Sequence, residues 1–154
     1  MANEFAMVGN LPLPKRLLAL IDSGLWPNTN KEALRQNLKS LVPKERIQLF
    51  APEEDRLYLF PPPFNTVRKK QQREAPGKFW SRYCSLDEIV PELSVEIGGF
   101  AIGSDSPLLL DYRQDRLNPT VIRLQWRRQQ PNTWVRCANS FDEFADILGL
   151  DSSR

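Results

Sequence analysis

The apolar residues occur in short runs whose spacing is helical in the first third of the chain and strand-like in the second half. Leu17, Leu18, Leu20 and Ile21 follow Pro14, a residue suited to a helix's first turn, and Ser23-Gly24 supplies a glycine stop. The pattern predicts a short first helix. After the Trp26-Pro27 break, Asn30 is placed to cap a second helix. In it Leu34, Leu38 and Leu41 fall at i, i+4 and i+7, one apolar stripe that ends at Pro43. Arg56 to Phe60 reads as a strand that cannot continue through Pro61-Pro62-Pro63.

Beyond residue 84 the periodicity changes. Four strand-like runs, Glu96 to Gly103, Leu108 to Tyr112, Thr120 to Trp126 and Thr133 to Cys137, are separated by turn-forming Ser, Asp, Asn and Pro. Connections this short imply antiparallel neighbours. In the third run Ile122, Leu124 and Trp126 share one face, with Val121, Arg123 and Gln125 on the other. That alternation predicts a sheet buried on one side, with Trp126 in the core. Ser85-Leu86-Asp87-Glu88 and Ser140-Phe141-Asp142-Glu143 both have capping-box spacing and predict helix starts. Phe144, Ile147 and Leu148 extend the second of these to a stop at Gly149. The expected class is therefore α+β: a single domain with a curved, mostly antiparallel sheet, helices on one face, N-terminal helices and a C-terminal helix.

Composition narrows the chemistry. The chain has 154 residues, 41% hydrophobic and 26% charged, ordinary for one globular domain with a real core. No histidine is present, which removes imidazole metal sites, Ser-His and Cys-His nucleophile pairs, and histidine acid/base chemistry. Cys84 and Cys137 are two thiols with no histidine to activate them, so buried small hydrophobes are the expected role. Glu4 stands where a signal peptide would carry basic residues, and the longest apolar run, Leu17 to Ile21, is far too short for a membrane span. A cytoplasmic protein is expected.

The net charge of +2 conceals an uneven distribution. Arg68, Lys69, Lys70, Arg73, Lys78 and Arg82 face a single acid, Glu74, between residues 68 and 82; this window carries +5 and leaves −3 for the rest. The stretch 61–77 has no apolar period and reads as a long basic loop. It is either solvated and mobile or in contact with a partner, a phosphate-bearing one included. Phe79-Trp80 is expected to dock its end onto the body.

Three candidate sites carry chemistry. Gly98 and Gly103 have the outer spacing of a phosphate loop, but Ser104-Asp105 follow where lysine and a hydroxyl are required. A tight turn using glycine's positive φ is the expected role. Asp105 and Asp111 are candidates for paired carboxylates, or, for Asp105, a calcium ligand, against the commoner task of bonding turn backbone. Trp134 and Arg136 alternate on the fourth strand. With Arg123 on the neighbouring strand they would form an aromatic, positively charged patch suited to a partner.

The order of the C-terminal motifs resembles the SUKH superfamily, which includes the fungal Smi/Knr-like regulators of cell-wall synthesis. The residues that carry the likeness are Ile97-Gly98-Gly99-Phe100-Ala101-Ile102-Gly103-Ser104-Asp105, then Leu108-Leu109-Leu110-Asp111-Tyr112-Arg113, Pro119 before a strand, and Ser140-Phe141-Asp142-Glu143-Phe144. They span roughly residues 85 to 150, and the Pro12 to Gly24 segment is similar to the family's opening helix. In this likeness Gly99, Gly103, Asp105 and Asp111 are motif residues of the turn.

The resemblance implies an α+β binding module without catalytic residues or cofactor. In bacterial relatives it implies an immunity protein that neutralises a cognate toxin, often a nuclease, whose basic surface a body of net −3 could cover. Partner contacts are expected at Arg123, Trp134 and Arg136 and at Arg68, Lys69, Lys70 and Arg73. A Smi/Knr-like regulatory role and nucleic-acid binding through the basic segment are the alternatives.

Overall fold

A computed structural model describes residues 5–100 and 105–150. Strands β1 (Met7–Val8) and β2 (Leu11–Pro12) form a small hairpin that turns at Gly9, whose φ is 60°. Helix α1 (Lys15–Ser23) starts after Pro14, buries Leu17, Leu20 and Ile21, and ends at Gly24 in the left-handed region, as the sequence predicts.

The second helix departs from expectation. Helix α2 spans only Asn30–Leu34, and its cap is Thr29, whose hydroxyl accepts from the Glu32 N–H at 3.1 Å. The chain then tightens into a 3-10 turn at Arg35–Asn37, which breaks the helical register. Leu34, Leu38 and Leu41 are 56%, 92% and 42% exposed, and Gln36 is buried instead. The Gln36 amide accepts from the Leu59 N–H at 2.9 Å and donates to the Leu59 carbonyl at 2.9 Å, which satisfies strand backbone that no strand among the described residues pairs on that side. Helix α3 (Lys44–Ile47) follows.

Strands β3 (Tyr58–Leu59) and β4 (Asn65–Thr66) are two residues each. The segment expected as a basic loop contains helix α4 (Val67–Arg73), capped by the Thr66 hydroxyl accepting from the Lys69 N–H at 3.2 Å. Only Val67 of this helix is buried, too few apolar residues to leave a period in the sequence. Helix α5 (Phe79–Tyr83) is capped from outside: the Glu74 carboxylate accepts from the N–H groups of Trp80 and Ser81 at 2.8 and 3.3 Å. The first capping box does not form. Ser85 has a φ of 45°, its hydroxyl donates to the Asn132 carbonyl, and only a 3-10 turn, Leu86–Glu88, follows. A second 3-10 turn, Pro91–Leu93, leads into the sheet.

Strands β5 (Ser94–Gly99), β6 (Pro107–Asp111), β7 (Thr120–Gln125) and β8 (Thr133–Ala138) pair antiparallel in sequence order, as their short connections require. Strands β3 and β4 both pair with β5 and complete the six-stranded sheet. Helix α6 (Phe141–Leu148) closes the fold. The Ser140 hydroxyl accepts from the Glu143 N–H at 3.1 Å, and Gly149 ends the helix at φ 75°. The α+β class, the antiparallel sheet and the C-terminal helix are as expected.

The sheet is not open on its second face. Alternate residues Leu108, Leu110 and Val121 join the main core with Leu17, Ile47, Phe141 and Phe144 from α1, α3 and α6. Their neighbours Leu109, Ile122 and Leu124 join a smaller core with Val67 of α4 and Trp80 of α5. The continuous burial of β5, β6 and most of β7 follows from this double cover. Among the described residues no helix is long and apolar enough to cross a membrane.

Candidate functional site

The patch expected from Arg123, Trp134 and Arg136 does not assemble. In the β7–β8 ladder Trp134 faces Leu124 and Arg136 faces Ile122, whereas Arg123 pairs with Val135, so Arg123 points to the opposite face. There Arg123 is 3% exposed. It donates to both carboxylate oxygens of Glu53 at 2.7 and 3.1 Å and lies 5.8 Å from the centre of the Phe100 ring. Trp134 is half-buried against the smaller core, its Nε1 donating to the Cys84 carbonyl at 2.6 Å. Arg136 is exposed and donates to Asn139 Oδ1 at 3.2 Å.

The four basic residues of α4 divide by direction. Arg68 pairs with Glu92 at 2.8 Å, and Lys70 pairs with Glu96 at 2.6 Å while standing 5.6 Å from the centre of the Phe60 ring. Lys69 and Arg73 are exposed and line a shallow space of about 470 Å³ with Met7 and Thr66. The local +5 is thus partly neutralised by acids distant in sequence.

Asp111 is the last residue of β6, which spans about 13 Å from Pro107 to Asp111, and Asp105 lies two residues before the strand begins. Asp111 is buried and held by Arg113, whose Nη2 and Nε donate to it at 2.8 and 3.0 Å. Asp105 is exposed, and its backbone carbonyl accepts from Trp126 Nε1 at 2.6 Å. Gly99 ends β5 in extended backbone, and Gly103 lies outside the described residues. Both cysteines are unpaired and stand on opposite faces of the sheet. Burial pushes the Cys84 thiol well above its usual range and the Cys137 thiol up to about 12, which opposes thiolate chemistry. Among the described residues no group of three or more acids or cysteines is placed to hold a metal.

A surface missed by the sequence reading joins α5 to the β7–β8 turn. Trp126, expected in the core, lies one residue past the end of β7 and is 44% exposed. Its ring is 5.3 Å from that of Tyr83, centre to centre, with a 37° tilt. The Arg82 guanidinium lies 5.1 Å from the centre of the Tyr83 ring. These residues, with Arg127, Gln130 and Pro131, border an open cleft of about 250 Å³.

Asn132, 7% exposed, fixes the arrangement: its Oδ1 accepts from the Arg127 N–H at 3.0 Å and its Nδ2 donates to the Tyr83 carbonyl at 3.0 Å. Tyr83 and Trp126 belong to different elements, so only tertiary packing reveals the pair. The one sequence signal is the turn itself, Trp126-Arg127-Arg128-Gln129-Gln130-Pro131-Asn132, which has an aromatic, two cations and no acid. Compared with family models, curated proteins and solved structures, the chain matches none.

Proposed function

We propose that this chain is a non-enzymatic protein-interaction module of the SUKH type, and that it acts as an immunity protein neutralising a cognate toxin. The observation that carries the reading is the exposed Arg82–Tyr83–Trp126–Arg127 surface, held in place by the buried Asn132. Tryptophan, tyrosine and arginine are the residues over-represented among interface anchors, and anchors fixed before binding lose little entropy on association. The roles of the motif residues also support it. Asp111 is locked to Arg113 and Ser140 caps α6, so they act as parts of the scaffold. The binding surface then lies on the α5 segment and the β7–β8 turn, away from the patch expected at Arg123, Trp134 and Arg136.

Co-expression with each candidate toxin found among the neighbouring genes tests the proposal. Growth should be restored and a complex should elute as one species in size-exclusion chromatography, with Trp126→Ala weakening both. A toxin that stays active and free in the presence of the folded protein overturns the reading.

A further inference from the structure

We infer that the Arg82–Tyr83–Trp126–Arg127 cleft receives an acidic segment of the partner protein, with carboxylates on the guanidinium groups and an apolar side chain against the indole. This rests on the interaction reading above and adds the chemistry of the surface recognised. Among the described residues no carboxylate lines the cleft, and the turn from residue 126 to residue 132 contains none. The Arg82 guanidinium lies over the Tyr83 ring, an arrangement in which the ring covers one face of the cation and leaves its N–H edge open to a carboxylate. Arg127 has its backbone N–H fixed by Asn132 and its side chain exposed. The Trp126 N–H is taken by the Asp105 carbonyl, so the exposed part of that residue offers ring surface and no donor.

Charge and size select a protein over a nucleic acid. A strand of nucleic acid presents phosphates at every step and is held by a row of cations with a domain pI above about 9. Here the pI is 8.6 and the cleft is about 250 Å³. Glu88 accepts from the Thr133 hydroxyl at 2.8 Å, next to Asn132, and Asp105 contacts Trp126 through its backbone. A cleft of this volume with two arginines in its lining suits one or two partner carboxylates, whereas a continuous phosphate track needs a longer row of cations. The sign is opposite to that of the acidic surface that net charge alone suggested.

The test uses the full chain and three probes: a short peptide of glutamate and leucine, the same peptide with glutamine for glutamate, and a single-stranded oligothymidylate. Binding is followed through the Trp126 indole N–H resonance. The glutamate peptide should shift it and bind at least about tenfold tighter than the glutamine peptide. An Arg82→Gln/Arg127→Gln variant, checked for an unchanged melting curve, should lose at least about tenfold in affinity for the glutamate peptide. Equal binding of both peptides, tighter binding of the oligothymidylate, or no shift with the glutamate peptide overturns the inference. A toxin complex that forms equally well with the double variant overturns it while leaving the interaction reading intact. Absence of any toxin complex, with the glutamate peptide still bound, fails the immunity reading alone.

Discussion

Arg123 and Glu53 form a bidentate ion pair in which the arginine side chain is 3% exposed and the glutamate 46%. The asymmetry sets the outcome of breaking it. Losing the glutamate leaves a buried guanidinium without its counter-charge, whereas losing the arginine leaves a carboxylate that water reaches. Glu53→Ala is expected to cost about 2–3 kcal/mol and Arg123→Met under about 1 kcal/mol, since methionine packs beside Phe100. Urea unfolding of both variants decides the order, and the reverse order refutes the assignment. Burial pushes the Glu53 carboxyl up, but the Arg123 hydrogen bond and charge, together with a Glu53 backbone hydrogen bond and one to Gln125, outweigh it and hold the carboxyl below its ordinary 4.5. The pair's contribution is therefore present above pH 4.5 and fades as the pH falls through the folded value.

Gln36 and Leu38 exchange the roles that their side chains suggest. Gln36 is 2% exposed and bonds both backbone groups of Leu59; Leu38 is 92% exposed. Gln36→Ala leaves a buried N–H and C=O of β3 unpaired and should cost about 2 kcal/mol. Leu38→Ser should change stability by no more than about 0.5 kcal/mol. Thermal melts that rank Leu38→Ser as the more damaging change would contradict the burial described.

The elements legible in the sequence are those whose signals are local. Pro14 and Gly24 bracket α1, Ser140 and Gly149 bracket α6, and the turns between β5 and β8 announce themselves through Asp, Asn and Pro. The i, i+4 spacing of Leu34 and Leu38 misleads because the 3-10 turn after Leu34, in which Gln36 bonds to β3, rotates the register. Helix α4 is illegible because Val67, Arg68–Glu92 and Lys70–Glu96 hold it, contacts that are long-range, beside its cap and one Arg68–Gln71 bond. The aromatic cleft is illegible for the same reason. Alternation along β7 puts Trp126 in the core, and nothing in that period records that the ladder stops at Gln125.

Glu96 lies 8% exposed on β5 beneath Lys70, with 2.6 Å between the charges. Burial raises its carboxyl above the ordinary 4.5 and outweighs the opposing pull of Lys70. The folded protein then keeps this proton to higher pH than the unfolded chain does. Stability at this site accordingly falls as the pH rises from 4.5 through the folded value, and levels off above it. In Glu96→Gln that decline should vanish, and the variant should gain on the parent protein as the pH rises. Urea midpoints measured across the acid-to-neutral range test this; a parent protein that gains on the variant with rising pH would refute it.

Gly98 is required by a close approach, not by its backbone conformation. It pairs with Leu59 inside the β3–β5 ladder, and a Cβ there would stand 2.6 Å from the Tyr58 carbonyl oxygen. That oxygen belongs to backbone, so alanine can be admitted only if β3 moves away. The shift would strain the Leu59 pairing, the Phe60 N–H bond to the Ile97 carbonyl at 3.0 Å, and the Gln36 contacts on the other side of β3. Gly98→Ala should therefore cost about 2–3 kcal/mol, at the upper end for a single added methyl group. Gly77 provides the contrast, with a φ of 76° and nothing within 4 Å of an added Cβ. Gly77→Ala should cost only the left-handed backbone term, about 1 kcal/mol. Hydrogen exchange separates the two mechanisms: Gly98→Ala should speed exchange at the Leu59 and Phe60 amides beyond the global change, and Gly77→Ala should not. Equal costs with unchanged local exchange would mean that β3 does not press on Gly98.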